Sequence, residues 1–160
     1  MRRISIFLIF IFGSFFLNPS ELMAQKPDRI SWLTFDQLDD SLALNPKKVF
    51  VNFTADWCTY CHEMEKTTFA DSVVIQRLNN AFYAVKMNIE TSDTIRFGGQ
   101  IFLNERLNKR NPVHQVALLM ASRKNKPFSL PAMVLLDENF VARARYFQYL
   151  SAAQLLKILE

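Results

Sequence analysis

The run Val49-Phe50-Val51-Asn52-Phe53-Thr54 constrains this chain more than any other segment. It is almost entirely β-branched and aromatic, the pattern of a buried strand. A turn at Ala55-Asp56 follows, and residues 58–66 then contain no helix breaker and read as a helix. Two cysteines, Cys58 and Cys61, stand at that strand–helix junction, and they are the only two in the 160 residues. Two cysteines cannot build a disulfide-rich scaffold or a four-cysteine zinc site. Only 3 glycines are present, which excludes collagen-like, glycine-linker and P-loop readings. With 50% hydrophobic and 21% charged residues, the composition suits one packed globular core. The net charge of +4 is too mild to point to nucleic acid.

Around this junction the pattern is β-α-β-α-α-β, an insertion, then β-β-α. Ile30-Ser31-Trp32-Leu33 is a short strand, and Thr34 with Gln37 forms a capping box for a helix carrying Phe35, Leu38 and Leu42. Asn45-Pro46 ends it. Asp71 caps a helix through Val74, Ile75 and Leu78, and residues 82–88 form the next strand. Residues 91–126 are too long for an ordinary connection and carry one helix at about 113–122, with Gly98-Gly99 making a turn. Residues 132–136 and 141–147 flank the turn signal Asp137-Glu138-Asn139. Ser151 and Gln154 form a second capping box, opening a helix to Leu159.

The first 24 residues read as a secretory signal. Arg2-Arg3 is a short basic start, residues 4–17 are largely apolar, and Leu22-Met23-Ala24 offers a small residue for cleavage. That apolar run has 14 residues, whereas a membrane span needs about 20. A retained anchor is the alternative. No cysteine lies near the cleavage point to carry a lipid. The mature domain is expected to cover residues 25–160, with a net charge of +3 once Arg2, Arg3 and Glu21 are removed. A periplasmic or otherwise extracytoplasmic location follows, where disulfide chemistry is available.

Cysteines at a helix start suit that chemistry. Unpaired amides and the positive end of the helix dipole favour a thiolate, the attacking species in disulfide exchange. Cys58, on the first turn, is expected to be the exposed nucleophile. Cys61, three residues on, can attack the mixed disulfide that forms. An inert disulfide is disfavoured, because so small a ring constrains little of the unfolded chain. Cys58-Thr59-Tyr60-Cys61-His62 also fits the c-type haem attachment spacing, with His62 as axial ligand and Met64, Met87, Met120 or Met133 as the partner. The buried strand entering the motif, the alternation of strands and helices, and Trp57 argue for thiol redox chemistry instead. A non-catalytic peptide-binding module with an idle disulfide is the third alternative.

The stretch 49–74, with Ala55-Asp56-Trp57-Cys58, Cys61 and Thr68-Phe69-Ala70-Asp71, resembles the thioredoxin superfamily. It is similar to the C-terminal periplasmic domain of the disulfide reductase DsbD and to small exported thioredoxin-like proteins. The likeness weakens after Asn88 and returns from Leu130-Pro131-Ala132 to Asp137. It implies an α/β thioredoxin fold, a central mixed sheet flanked by helices, with a helical insertion before the cis-proline strand. It also implies that Pro131 is cis and that the Leu130 backbone pairs with substrate beside Cys58. Trp57, Thr59 and Tyr60 would contact substrate with them. Thioredoxins usually carry a buried aspartate six residues before the first cysteine, and here that position is Asn52. Glu65 matches a second acid in the DsbD-like domain and is expected to be the proton partner of Cys61. Gln148 and Phe140 stand where groove and hairpin glycines are common. Thr59-Tyr60 does not fix the redox potential.

In residues 94–126, seven basic residues stand against Glu105 alone, a net +6 that leaves −3 on the rest of the mature domain. That asymmetry can steer an acidic partner or membrane headgroups, or simply make a soluble face on a helix packed through Val113, Val116, Leu119 and Met120. His114 and Trp32 read as structural. The expected protein is thus an exported, monomeric thiol:disulfide oxidoreductase. It needs no metal or organic cofactor and binds no nucleic acid. Its partners are protein disulfides and a membrane-bound or soluble thiol electron donor.

Overall fold

The computed structural model describes residues 28–160; the signal-peptide reading of residues 1–24 and the start at Gln25 lie outside the described residues. The chain runs β1 (Trp32–Leu33), α1 (Phe35–Leu44), β2 (Lys48–Thr54), α2 (Thr59–Lys66), α3 (Ser72–Ala81) and β3 (Phe82–Asn88). It continues through β4 (Ile95–Phe97), β5 (Gln100–Phe102), α4 (Gln115–Ala121), β6 (Ala132–Leu136), β7 (Ala142–Tyr146) and α5 (Ala152–Ile158). Both expected capping boxes form: Thr34 with Gln37 on α1 and Ser151 with Gln154 on α5. Asp71 caps α3, accepting from the amides of Val73 and Val74.

The main sheet has the order β1-β3-β2-β6-β7. β2 pairs with β3 in parallel and with β6 antiparallel, so the sheet is mixed and β2 lies at its centre. Side chains alternate across it. Val49, Val51 and Phe53 of β2 join Val134 and Leu136 of β6, under Phe35 and Leu38 of α1 and Val116 and Ala117 of α4. On the opposite face Phe50, Met133 and Leu135 pack with Val74 and Leu78 of α3 and Leu155 of α5. Trp32 is half-buried on that second face, edge-on to Phe69 with centroids 5.3 Å apart. Burial on both faces is why β2 reads as an unbroken apolar run.

The insertion differs from its sequence expectation in two ways. Besides a helix it holds a hairpin, β4 with β5, paired antiparallel from Ile95↔Phe102 to Phe97↔Gln100. Gly98 and Gly99 have φ of 59° and 70°, the left-handed pair that a two-residue hairpin turn requires. The hairpin is tied to α1, whose Asp36 and Asp39 carboxylates accept from the amides of Arg96 and Gly98. Second, α4 packs through Val116, Ala117 and Ala121, while Leu119 is 68% exposed. The helix starts at Gln115 instead of Val113, and its buried stripe runs through Ala117 and Ala121, so that Leu119, two residues from each, faces outward.

His114 is fully buried. Its Nδ1 accepts from Val116 N at 3.2 Å, capping α4, and its Nε2 donates to the Asp93 carbonyl at 3.1 Å. Burial, which penalises the charged ring, holds its pKa below the ordinary histidine value against the opposing pull of Asp93. Asp137 accepts from Val141 N at 2.8 Å and from Arg143 Nε at 2.8 Å, fixing the β6–β7 turn. The Val141 amide, with help from Arg143 and the Asn139 amide, keeps its carboxyl below the usual range.

Candidate active site

β2 ends at Thr54, and the turn Ala55-Asp56-Trp57 delivers Cys58 to the N-cap of α2. The turn closes through Cys58 N donating to Ala55 O at 3.0 Å. Cys58 and Cys61 form a disulfide, S–S 2.07 Å, with their Cα atoms 5.2 Å apart. The backbone amide of Cys61 donates to Cys58 Sγ at 3.2 Å, as an N-cap side chain accepts from N3. An amide aimed at this sulfur, at the positive end of a helix, stabilises negative charge there.

One expectation is corrected. Cys58 is the N-cap residue and not part of the first helical turn, and it is only 4% exposed, against 3% for Cys61. Its sulfur turns inward to the Cys61 amide and joins the core beside Ala55. The residues around it carry the accessible surface: Trp57 at 62% and Tyr60 at 64% exposed, with Thr59 also exposed.

The Leu130–Pro131 peptide bond is cis, with Pro131 buried and Leu130 half-buried. The antiparallel register pairs Phe53 with Ala132, so the first residues of β6 lie against the end of β2 that feeds the cysteine turn. Trp57, Thr59, Tyr60, Leu130 and Pro131 are thereby brought to one end of the sheet. Glu65 lies one helical turn beyond Cys61, and its carboxylate is 3.4 Å from Lys86 Nζ. Among the described residues no hydrogen bond joins Glu65 to either sulfur. Asn52 is buried on β2 between its register partners Lys86 and Met133. His62 is exposed, and its Nε2 donates to Asp56 O at 2.7 Å. Gln148 is exposed, and Phe140 has φ 59°, a left-handed conformation that glycine would take without strain.

Sequence reasoning missed three contributors. Glu90 Oε1 accepts from Trp57 Nε1 at 2.8 Å. The Tyr149 ring lies 6.4 Å from that of Tyr60, and its hydroxyl is 3.2 Å from Thr67 Oγ1. Arg106 lines a cavity that also includes Trp57. Each contact spans 33 or more positions of chain, beyond any local motif. Among the described residues, no cluster of three or more His, Cys, Asp or Glu side chains could hold a metal, and no helix is long and apolar enough to cross a membrane.

Residues 35–160 match the family described as Thioredoxin-like domain. The thiol:disulfide interchange protein DsbD of Campylobacter jejuni (strain RM1221) is 33% identical over 98 residues, which cover 56% of this chain and 17% of that protein. The chain therefore spans about a sixth of the length of this relative. Among solved structures, a thioredoxin-fold protein from Helicobacter pylori superposes with a TM-score of 0.57 at 20% identity, over 85% of this chain and 77% of the other. A thioredoxin from Thermus thermophilus gives 0.54 at 21% identity, over 82% and 85%. These two likenesses concern the fold alone.

Proposed function

Since the chain belongs to the thioredoxin-like domain family, and is at the family level a thiol:disulfide oxidoreductase, we propose that it works outside the cytoplasm to reduce or isomerise protein disulfides. The observation that carries this reading is the Cys61 amide donating to Cys58 Sγ at the start of α2. In the reduced protein that amide and the helix dipole favour the Cys58 thiolate. The thiolate attacks a substrate disulfide, forming one S–S bond and releasing one substrate thiolate, which takes a proton from solvent. Cys61 then loses its proton, with Glu65 as proton partner, and attacks Cys58 Sγ. The second substrate sulfur leaves and is protonated. Two electrons have passed to the substrate, and the Cys58–Cys61 disulfide remains.

A thiol donor, membrane-bound or soluble, returns the pair to the dithiol by the reverse exchange. Trp57, Tyr60, Thr59 and the Leu130–Pro131 segment form the substrate-facing surface, with the Leu130 backbone pairing with an extended substrate. The protein acts as a monomer after removal of residues 1–24.

The test is capture. Cys58→Ser abolishes turnover, and Cys61→Ser accumulates mixed disulfides with proteins of its own compartment, identified by mass after non-reducing separation. A Cys61→Ser protein that captures nothing there overturns the exchange mechanism.

A further inference from the structure

Beside the cysteine turn lies a cavity of about 310 Å³ bounded by Trp57, Ile89, Glu90, Arg106, Val113 and Phe128. Its walls come from two sources. Trp57 precedes Cys58, and Phe128 stands two residues before Leu130; Arg106 and Val113 belong to the insertion. The insertion therefore reaches the redox end of the molecule and adds a wall to it.

The cavity is built and not incidental. Its floor is apolar, with Ile89 and Val113 buried. Arg106 on its rim is held by the loop around it: its backbone amide donates to Asn104 Oδ1 at 3.1 Å, and its Nε to Asn111 O at 3.3 Å. Asn104 is itself buried and donates to the carbonyls of Thr91 and Pro112. Among the described residues, no carboxylate is within ion-pair distance of the Arg106 guanidinium, and its terminal nitrogens make no hydrogen bond. The one acid in the wall, Glu90, has Oε1 engaged by Trp57. The surrounding insertion is net +6 over residues 94–126.

We propose that this cavity is a specificity pocket for an acidic side chain, Asp or Glu, lying close to the attacked cysteine of a protein disulfide. The proposal rests on the oxidoreductase reading above. An apolar floor takes the methylene stem, and the two free guanidinium nitrogens take the carboxylate as a planar fork. The volume is at the small end of ligand sites, suited to a side chain more than to a large cofactor. An extended substrate advances about 3.3 Å per residue, so the side chain entering beside Trp57 is within a few positions of the cysteine attacked by Cys58.

The experiment uses the reduced protein and two disulfide-bonded model peptides that differ only in Glu or Lys at positions flanking the cysteine. Hydroxyethyl disulfide, which carries no charge, is the common reference. The Glu peptide is expected to be reduced roughly two- to fivefold faster than the Lys peptide, the range of a solvent-accessible ion pair, and raised salt narrows the gap. Arg106→Glu inverts the preference, and Arg106→Gln abolishes it should the charge reversal not fold. Equal rates for both peptides at every flanking position, or an unchanged preference in both variants, overturn the pocket while leaving the exchange chemistry standing. Failure to reduce the peptides and hydroxyethyl disulfide alike overturns the oxidoreductase reading and the pocket together.

Discussion

The indole Nε1 of Trp57 donates to Glu90 Oε1 at 2.8 Å, joining the residue before the first cysteine to one 33 positions later. Trp57 is 62% exposed, and the hydrogen bond holds so open a ring in one orientation. Glu90→Ala is expected to lower kcat/KM for protein disulfides by about fivefold, the equivalent of one hydrogen bond of about 1 kcal/mol. Glu90→Gln keeps an acceptor oxygen and most of the rate. Steady-state reduction of a folded disulfide protein separates the two, and equal loss in both variants refutes the orienting role.

Glu65 is the proton partner proposed above for the resolving cysteine, since Asn52 cannot titrate. Glu65→Gln is expected to slow the decay of the Cys58 mixed disulfide by roughly a hundredfold, the lower end of general acid–base contributions. The initial attack by Cys58 changes little. Single-turnover measurements with acid quench resolve the two steps across pH. If both steps slow equally, Glu65 is not the proton partner.

His114 links stability to pH. Its folded pKa is lowered by burial, so between the folded and unfolded values the unfolded chain binds more protons. The stabilising contribution is full above the unfolded value of about 6.5 and is lost as pH falls from there through the folded one. Thermal melts at stepped pH from 7.5 to 5 should show this decline. A loss of 1 kcal/mol corresponds to roughly 3–5 °C in a domain of this size. His114→Asn, which keeps a capping side chain, flattens the dependence in that window while lowering Tm at neutral pH.

Phe140 sets backbone strain against packing. Its φ of 59° costs about 1–2 kcal/mol in a non-glycine residue. Its ring sits 4.8 Å from that of Phe97 and is half-buried. Phe140→Gly relieves the strain but loses roughly half of the 3–5 kcal/mol of a fully buried Phe truncation and adds about 0.5–1 kcal/mol of chain entropy. Packing wins, and urea unfolding should show a net loss of about 1 kcal/mol. A more stable variant refutes this balance.

Local rules made much of the fold legible. The caps at Thr34, Asp71 and Ser151 stand next to the helices they start, and the run through Val51 and Phe53 is apolar because both faces of β2 are covered. The three-residue strands β4 and β5 were not legible. Gly98-Gly99 shows a turn, but segments so short carry too little alternation to show pairing. The inward sulfur of Cys58 was also hidden, because it depends on an amide contact made only once α2 has formed. His62 completes a haem-attachment spacing, and only the fold around the motif separates the two chemistries. Glu90 and Arg106 reach Trp57 through tertiary structure alone.

The placement of β2 has a kinetic meaning. It pairs with β3 from Lys48↔Phe82 to Thr54↔Asn88 and with β6 from Val49↔Leu136 to Phe53↔Ala132. Its amides can therefore exchange with solvent only when the whole sheet opens, whereas the β4–β5 hairpin has a short ladder of its own and can open locally. The hairpin docked on α1 can breathe while the cysteine turn stays joined to the end of the central strand. Opening of that part of the insertion then leaves the reacting sulfur where the central strand holds it.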